Sequence, residues 1–168
     1  MFIDSYVVES FHWNHPEIMN VLFSYKKGLF IYTPLTFIAL GGLIPIFNKN
    51  RFSFCWFIVS FLSITYVISC WWNWWYGGSF SARPFTEFLS LFGILLALFL
   101  SRIIKTFSRI LIYSLMVFCI ILCQVQIFQF RYNIIHWEKM DKAHYWNMFL
   151  RVDELGKGNT NADLLKEN

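Results

Sequence analysis

Acidic side chains are nearly missing from the middle of this chain: between residues 25 and 130 the only carboxylate is Glu87. That stretch has no paired acids for general acid and base work. Charge of either sign is scarce at 14% of residues, and the net +4 is spread over flanks rather than gathered on one face, which argues against nucleic-acid binding. Cysteine is also thin. Cys119 and Cys123 share a helical face, but with no nearby histidine or third thiol they read, like Cys55 and Cys70, as packing residues rather than a metal site. His12 and His15 with Glu17 are too few and too loosely spaced to define a metal, and His136 and His144 receive no role. The first 20 residues carry Asp4, Glu9 and Glu17 and lack a basic start leading into an unbroken apolar run, so no cleavable signal peptide is expected. There is no internal repeat, and no run alternates as a barrel strand would.

What the chain does have is apolar length. Hydrophobic residues make up 57% and aromatics 21%, including 20 Phe and 8 Trp, a balance that suits lipid rather than water as solvent. The apolar runs 28–47, 52–72, 85–100 and 110–130 approach the roughly 20 residues that cross a hydrocarbon layer, the third being short. In lipid such runs must be helical to satisfy their own backbone. The expected fold is therefore an all-α integral membrane protein with about four transmembrane helices and an interfacial C-terminal helix. It divides into a polar-aromatic surface segment 1–24, a transmembrane region 25–130 with a Trp-rich loop 71–84, an aromatic interfacial helix 131–151 and a polar tail 152–168.

Basic residues barely orient this bundle. Alternation puts Lys49 and Arg51 on one side with Arg102, Lys105 and Arg109, and puts Lys26, Lys27, Arg83 and the basic tail on the other. Placing the Arg102–Arg109 loop in the cytoplasm turns the Trp-rich loop and both termini outward. The weak bias suggests that some cations opposite that loop serve binding.

The loop itself reads Trp71-Trp72-Asn73-Trp74-Trp75-Tyr76-Gly77-Gly78-Ser79-Phe80-Ser81-Ala82-Arg83-Pro84. Arg83 precedes a proline suited to a helix's first turn, so guanidinium and positive helix end would point together; Gly77 and Gly78 allow close backbone approach and Ser79 offers a hydroxyl. This segment could hold a lipid-linked phosphate, with Lys26 and Lys27 adding charge on the same membrane face. Plainer readings stand beside it: a snorkelling arginine, a tight glycine turn and lysines facing lipid headgroups. Trp72, Trp74, Trp75 and Tyr76 could grip a sugar or an isoprenoid, yet an aromatic belt needs no ligand. Glu87 is expected to pair with Arg83 at i, i+4 on the third helix.

Polar groups within the runs read as helix glue. Gln126, Gln129 and Asn133 share one face of the fourth helix, while Ser60, Ser63 and Gly41-Gly42 mark close approaches, and Pro34 and Pro45 kink or bound the first. A polar stripe lining a substrate groove is the alternative.

The segment His15-Pro16-Glu17, then Leu22-Phe23-Ser24-Tyr25-Lys26-Lys27-Gly28-Leu29-Phe30-Ile31-Tyr32-Thr33-Pro34, the Gly77-Gly78-Ser79 segment with Arg83-Pro84, and Gln124–Tyr132 with Ile135-His136-Trp137 together resemble the C-terminal half of polytopic membrane glycosyltransferase-like proteins of Bacteroidetes-type bacteria. These fall in the GT-C class related to protein O-mannosyltransferases and aminoarabinose transferases. The resemblance spans most of residues 12–151 and rests on aromatic-rich patterns, not a catalytic signature. It implies transfer of a sugar from a polyprenyl-phosphate carrier at the outer face of the bacterial cytoplasmic (inner) membrane. In such proteins the acids that activate the acceptor or hold a divalent metal lie in an N-terminal half that has no counterpart here. The chain is thus expected to supply carrier contacts, with no catalytic residue and no cofactor of its own, and to need an N-terminal half or another membrane subunit. The alternative is a non-catalytic membrane protein, either a degenerate remnant or a helical subunit of a larger complex.

Overall fold

The computed structural model describes residues 10–103, 105–132, 134–136 and 140–151. Asn133, Trp137, the tail 152–168 and the first nine residues lie outside them. Among the described residues the architecture is all-helical, with one isolated antiparallel bridge between Phe11 and Trp71. The order is α1 (Ile18–Phe23), α2 (Leu29–Tyr32), α3 (Pro34–Ala39), a 3-10 turn (Leu40–Gly42), α4 (Leu43–Lys49), α5 (Arg51–Cys70), a 3-10 segment (Arg83–Phe88), α6 (Leu89–Ser101), α7 (Thr106–Arg131) and α8 (Lys142–Met148). Among the described residues three helices are long and apolar enough to cross a membrane: α5, the continuous Arg83–Ser101 segment, and α7.

The first expected span is not one helix. Pro34 cannot donate a backbone hydrogen bond, and Thr33 takes φ −131°, so the helix breaks there, with both the Thr33 N–H and its hydroxyl turned onto the Leu29 carbonyl. A second change of pitch falls at Gly41 and Gly42. A β-carbon on Gly42 would land on the Leu95 carbonyl, and one on Gly41 would come within 2.8 Å of the Phe99 ring, so this pair is what lets the first segment lie against α6. The remaining apolar piece, Pro34–Lys49, is shorter than a full span.

Asn50 begins α5 by accepting hydrogen bonds from the Phe52 and Ser53 amides at 3.0 and 3.3 Å. α5 and α6 run antiparallel, joined by rings that meet edge to face: Phe61 with Phe92 at 5.8 Å and Phe57 with Phe92 at 6.4 Å. Each such pair adds about 0.5–1.5 kcal/mol beyond area buried. Leu29, Phe30, Ile68, Phe85 and Leu95 complete this core. A second core gathers Tyr32, Ile135, Met140 and Tyr145, with Phe80 and Phe130 against it.

In the stretch 131–151, expected as one interfacial helix, the described residues after α7 form a single short helix, α8 (Lys142–Met148), capped by Asp141, whose side chain accepts from the His144 amide at 2.7 Å. Gln126 and Gln129 bind it to α7. Gln126 Nε2 donates to the Tyr145 hydroxyl at 2.8 Å, and Gln129 Nε2 donates to the Met148 and Arg151 carbonyls at 2.7 and 3.0 Å. These amide donors act as glue for α8; the third member of that face, Asn133, lies outside the described residues.

Candidate functional site

The Trp-rich loop begins where α5 stops, and the N-terminal segment holds that end in place. His12 N–H donates to Cys70 O at 2.6 Å, Glu17 N–H to Ser69 O at 3.0 Å, and Trp72 N–H to Ser10 O at 3.1 Å. Phe11 packs edge-on against Trp71 at 4.8 Å, and the Tyr66 hydroxyl donates to Trp13 O at 2.8 Å. The loop base is thereby tied by backbone bonds that need no particular side chain.

Lys26 and Lys27 reach the loop from a tight turn. Gly28 N–H donates to Ser24 O at 2.7 Å, and a β-carbon on Gly28 would stand 2.5 Å from the Ser24 nitrogen, so only glycine closes this turn. Its geometry sends the two lysines to different partners. Lys26 Nζ sits 3.5 Å from the centre of the Trp75 ring and 5.9 Å from that of Trp74, a cation–π contact worth about 0.5–2 kcal/mol. Lys27 turns inward, donating to the Gly77 carbonyl and lying 3.5 Å from the Ser79 hydroxyl.

Lys27 is only 3% exposed, and no carboxylate pairs with it among the described residues. Burial and the neighbouring Lys26 charge pull its amine down from 10.5 to about 8. A buried ammonium with neutral oxygens alone around it is incompletely compensated, and an anion would complete it.

The loop's backbone is strained. Tyr76, Gly77 and Ser81 have φ of 51°, 61° and 54°, and for the two non-glycine residues this left-handed conformation costs about 1–2 kcal/mol each. The Gly77 and Gly78 amides find no acceptor among the described residues, and nothing lies within 4 Å of where their β-carbons would be. Three side-chain atoms in the same loop, Trp72 Nε1, Asn73 Oδ1 and Ser81 Oγ, are buried without a hydrogen-bond partner among the described residues.

The expected site residues thus only partly converge. Lys26, Lys27, Gly77, Ser79, Trp74 and Trp75 come together across some fifty positions of sequence. The Ser79 hydroxyl, expected to face a phosphate, instead spends itself inward, facing Lys27 and donating to Tyr76 O at 3.3 Å. Tyr76 packs against the first core. Arg83 stands apart: it is exposed, and its guanidinium has no partner among the described residues. The expected Arg83–Glu87 pair does not form, because Arg83–Phe88 winds as a 3-10 helix, in which residues four apart sit roughly 120° apart around the axis. Pro84 instead lines an apolar cleft of about 350 Å³ with Ser63, Ile64, Val67, Ile68 and Phe88.

Sequence reasoning passed over Asn73 and Ser81. The available signal was a lone amide inside a run of indoles, where a polar group without water must find a partner. Among the described residues no three His, Cys, Asp or Glu side chains gather to hold a metal. Comparison with models of known families, with curated proteins and with solved structures finds no match in any of the three.

Proposed function

We propose that this chain is the carrier-facing C-terminal part of a membrane glycosyltransferase, binding the phosphate of a polyprenyl-phosphate-linked sugar at the tryptophan loop. One observation carries the reading: Lys27, buried with no acid beside it among the described residues, inside a loop whose glycine amides find no acceptor among those residues. Phosphate is the anion that suits a lone ammonium and free backbone donors together. The cleft beside Pro84 offers an apolar path for the lipid chain, and Arg83 directly precedes Pro84 in the sequence. In this reading a separate N-terminal half or membrane subunit supplies the acid, and with it any divalent metal.

The proposed setting is the bacterial inner membrane, with the first segment and the three long helices embedded and the Trp-rich loop outward. The long helices support embedding, since only 17%, 17% and 11% of their apolar windows are buried within the protein. Water would not tolerate so much uncovered apolar surface. The test is binding of a polyprenyl phosphate to the purified chain in phosphatidylcholine nanodiscs. Lys27→Met should weaken it at least tenfold and Arg83→Ala severalfold; unchanged affinity in Lys27→Met ends the proposal.

A second reading, a non-catalytic helical subunit, draws on α7, whose Phe107, Ile110, Leu111, Phe118 and Ile121 are all exposed. An adjoining reading frame with an acid-bearing external loop favours the transferase; a lone gene favours the subunit.

A further inference from the structure

Trp72 Nε1, Asn73 Oδ1 and Ser81 Oγ are buried in one ten-residue stretch, without partners among the described residues, and Lys27 bonds into the middle of that stretch at Gly77. Ser81 is itself only 8% exposed. Their chemistry is not uniform. An indole N–H only donates, an amide oxygen only accepts, and a hydroxyl does both. A phosphodiester group by itself, which at neutral pH has acceptors alone, could answer Trp72 and Ser81 but would leave Asn73 Oδ1 unpaired. Only a ligand that also donates satisfies all three.

We infer that the loop reads a hydroxylated phosphate headgroup, with Lys27 taking the phosphate and Asn73, Ser81 and Trp72 taking an adjacent hydroxyl. This rests on the anion-site reading and adds the ligand's second functional group. The chemistry is shared by two sources: a glycosyl phosphate on a polyprenyl chain, and a bilayer lipid such as phosphatidylglycerol. Leaving a buried acceptor unsatisfied costs more than an ordinary hydrogen bond gains, so the discrimination should be large for one atom.

The full chain in phosphatidylcholine nanodiscs is titrated with two pairs of phosphodiesters of equal charge. One pair is hexosyl polyprenyl phosphate and methyl polyprenyl phosphate; the other is phosphatidylglycerol and phosphatidylmethanol. The unsubstituted chain should prefer the hydroxylated member of at least one pair by roughly tenfold. Preference in the first pair names the carrier as source, and preference only in the second keeps this inference while overturning the carrier reading. Asn73→Ala should erase the preference within each pair, because it removes the acceptor that the ligand's hydroxyl answers. Equal binding within both pairs overturns the inference, and if that binding still depends on Lys27 the anion site survives alone. Equal weakening of all ligands by Asn73→Ala also overturns it. The comparison within each pair needs no variant, so misfolding of a mutant cannot obscure the result.

Discussion

Raising the pH should release the bound anion while firming the empty protein. Lys27 has an ordinary value of 10.5 that falls to about 8 in the fold. In the empty protein roughly nine-tenths of the Lys27 amine is charged at pH 7 and about one-tenth at pH 9, so affinity for an anion that needs the ammonium should drop about tenfold across those two units. A phosphodiester probe is required, because a phosphomonoester with its second pKa near ~6 would change charge in nearby pH ranges. Stability should move the other way. The folded value lies below the unfolded one, so the cost of burying the charge is present below pH 8 and disappears as pH climbs from 8 towards 10.5. Titration in nanodiscs from pH 7 to 9, paired with thermal unfolding of the ligand-free chain, reads both trends. Lys27→Met should give weak, pH-independent binding, since its side chain carries no proton to lose. Lys27→Arg, where the larger group is accommodated, should bind independently of pH, as arginine keeps its charge throughout. An affinity in the unsubstituted chain that stays level from pH 7 to 9 would refute the reasoning, as would one that falls identically in Lys27→Met.

Other outcomes follow from particular contacts. Gly42→Ala should lower thermal stability in detergent by about 1–3 kcal/mol, because its methyl would strike the Leu95 carbonyl and push α6 away. Gly77→Ala should cost about 1 kcal/mol for its left-handed φ, whereas Gly78→Ala, with ordinary φ and open space, should be within ~0.5 kcal/mol of neutral; equal effects would contradict the loop geometry. Gln129→Leu removes the donor to the Met148 and Arg151 carbonyls and should speed proteolysis near residues 142–151 more than Gln126→Leu, which loses one bond but also removes a buried oxygen that has no partner among the described residues. In oriented vesicles, Gly78→Cys and Lys49→Cys on a background lacking other cysteines should react with an impermeant maleimide from opposite sides, since α5 spans about 30 Å between them; labelling from one side refutes the membrane reading.

The long helices were legible because each apolar run states its own extent. Expected 52–72 and 110–130 became Arg51–Cys70 and Thr106–Arg131, shifted by a capping Asn50 and by an early start at Thr106. Composition could not show that 28–47 breaks, since Thr33-Pro34 and Gly41-Gly42 act through backbone geometry and a close neighbour rather than hydropathy. Nor could it separate Lys26 from Lys27. Adjacent lysines look alike in sequence, yet a glycine-closed turn sends one to an indole face and buries the other under a loop fifty residues away. Arg83 stood out by its neighbours in the chain, and its isolation follows from a 3-10 pitch that periodicity arguments built on α-helices do not anticipate.

The strap formed by residues 10–17 also sets an order of assembly. Its hydrogen-bonding partners at Ser69, Cys70 and Trp72 are made some sixty residues later, so a ribosome must deliver the whole of α5 before the earliest described residues can settle. During synthesis those strap amides stay hydrated. They dock only when α5, the first of the long helices, is complete, and the lysine turn can then meet its loop.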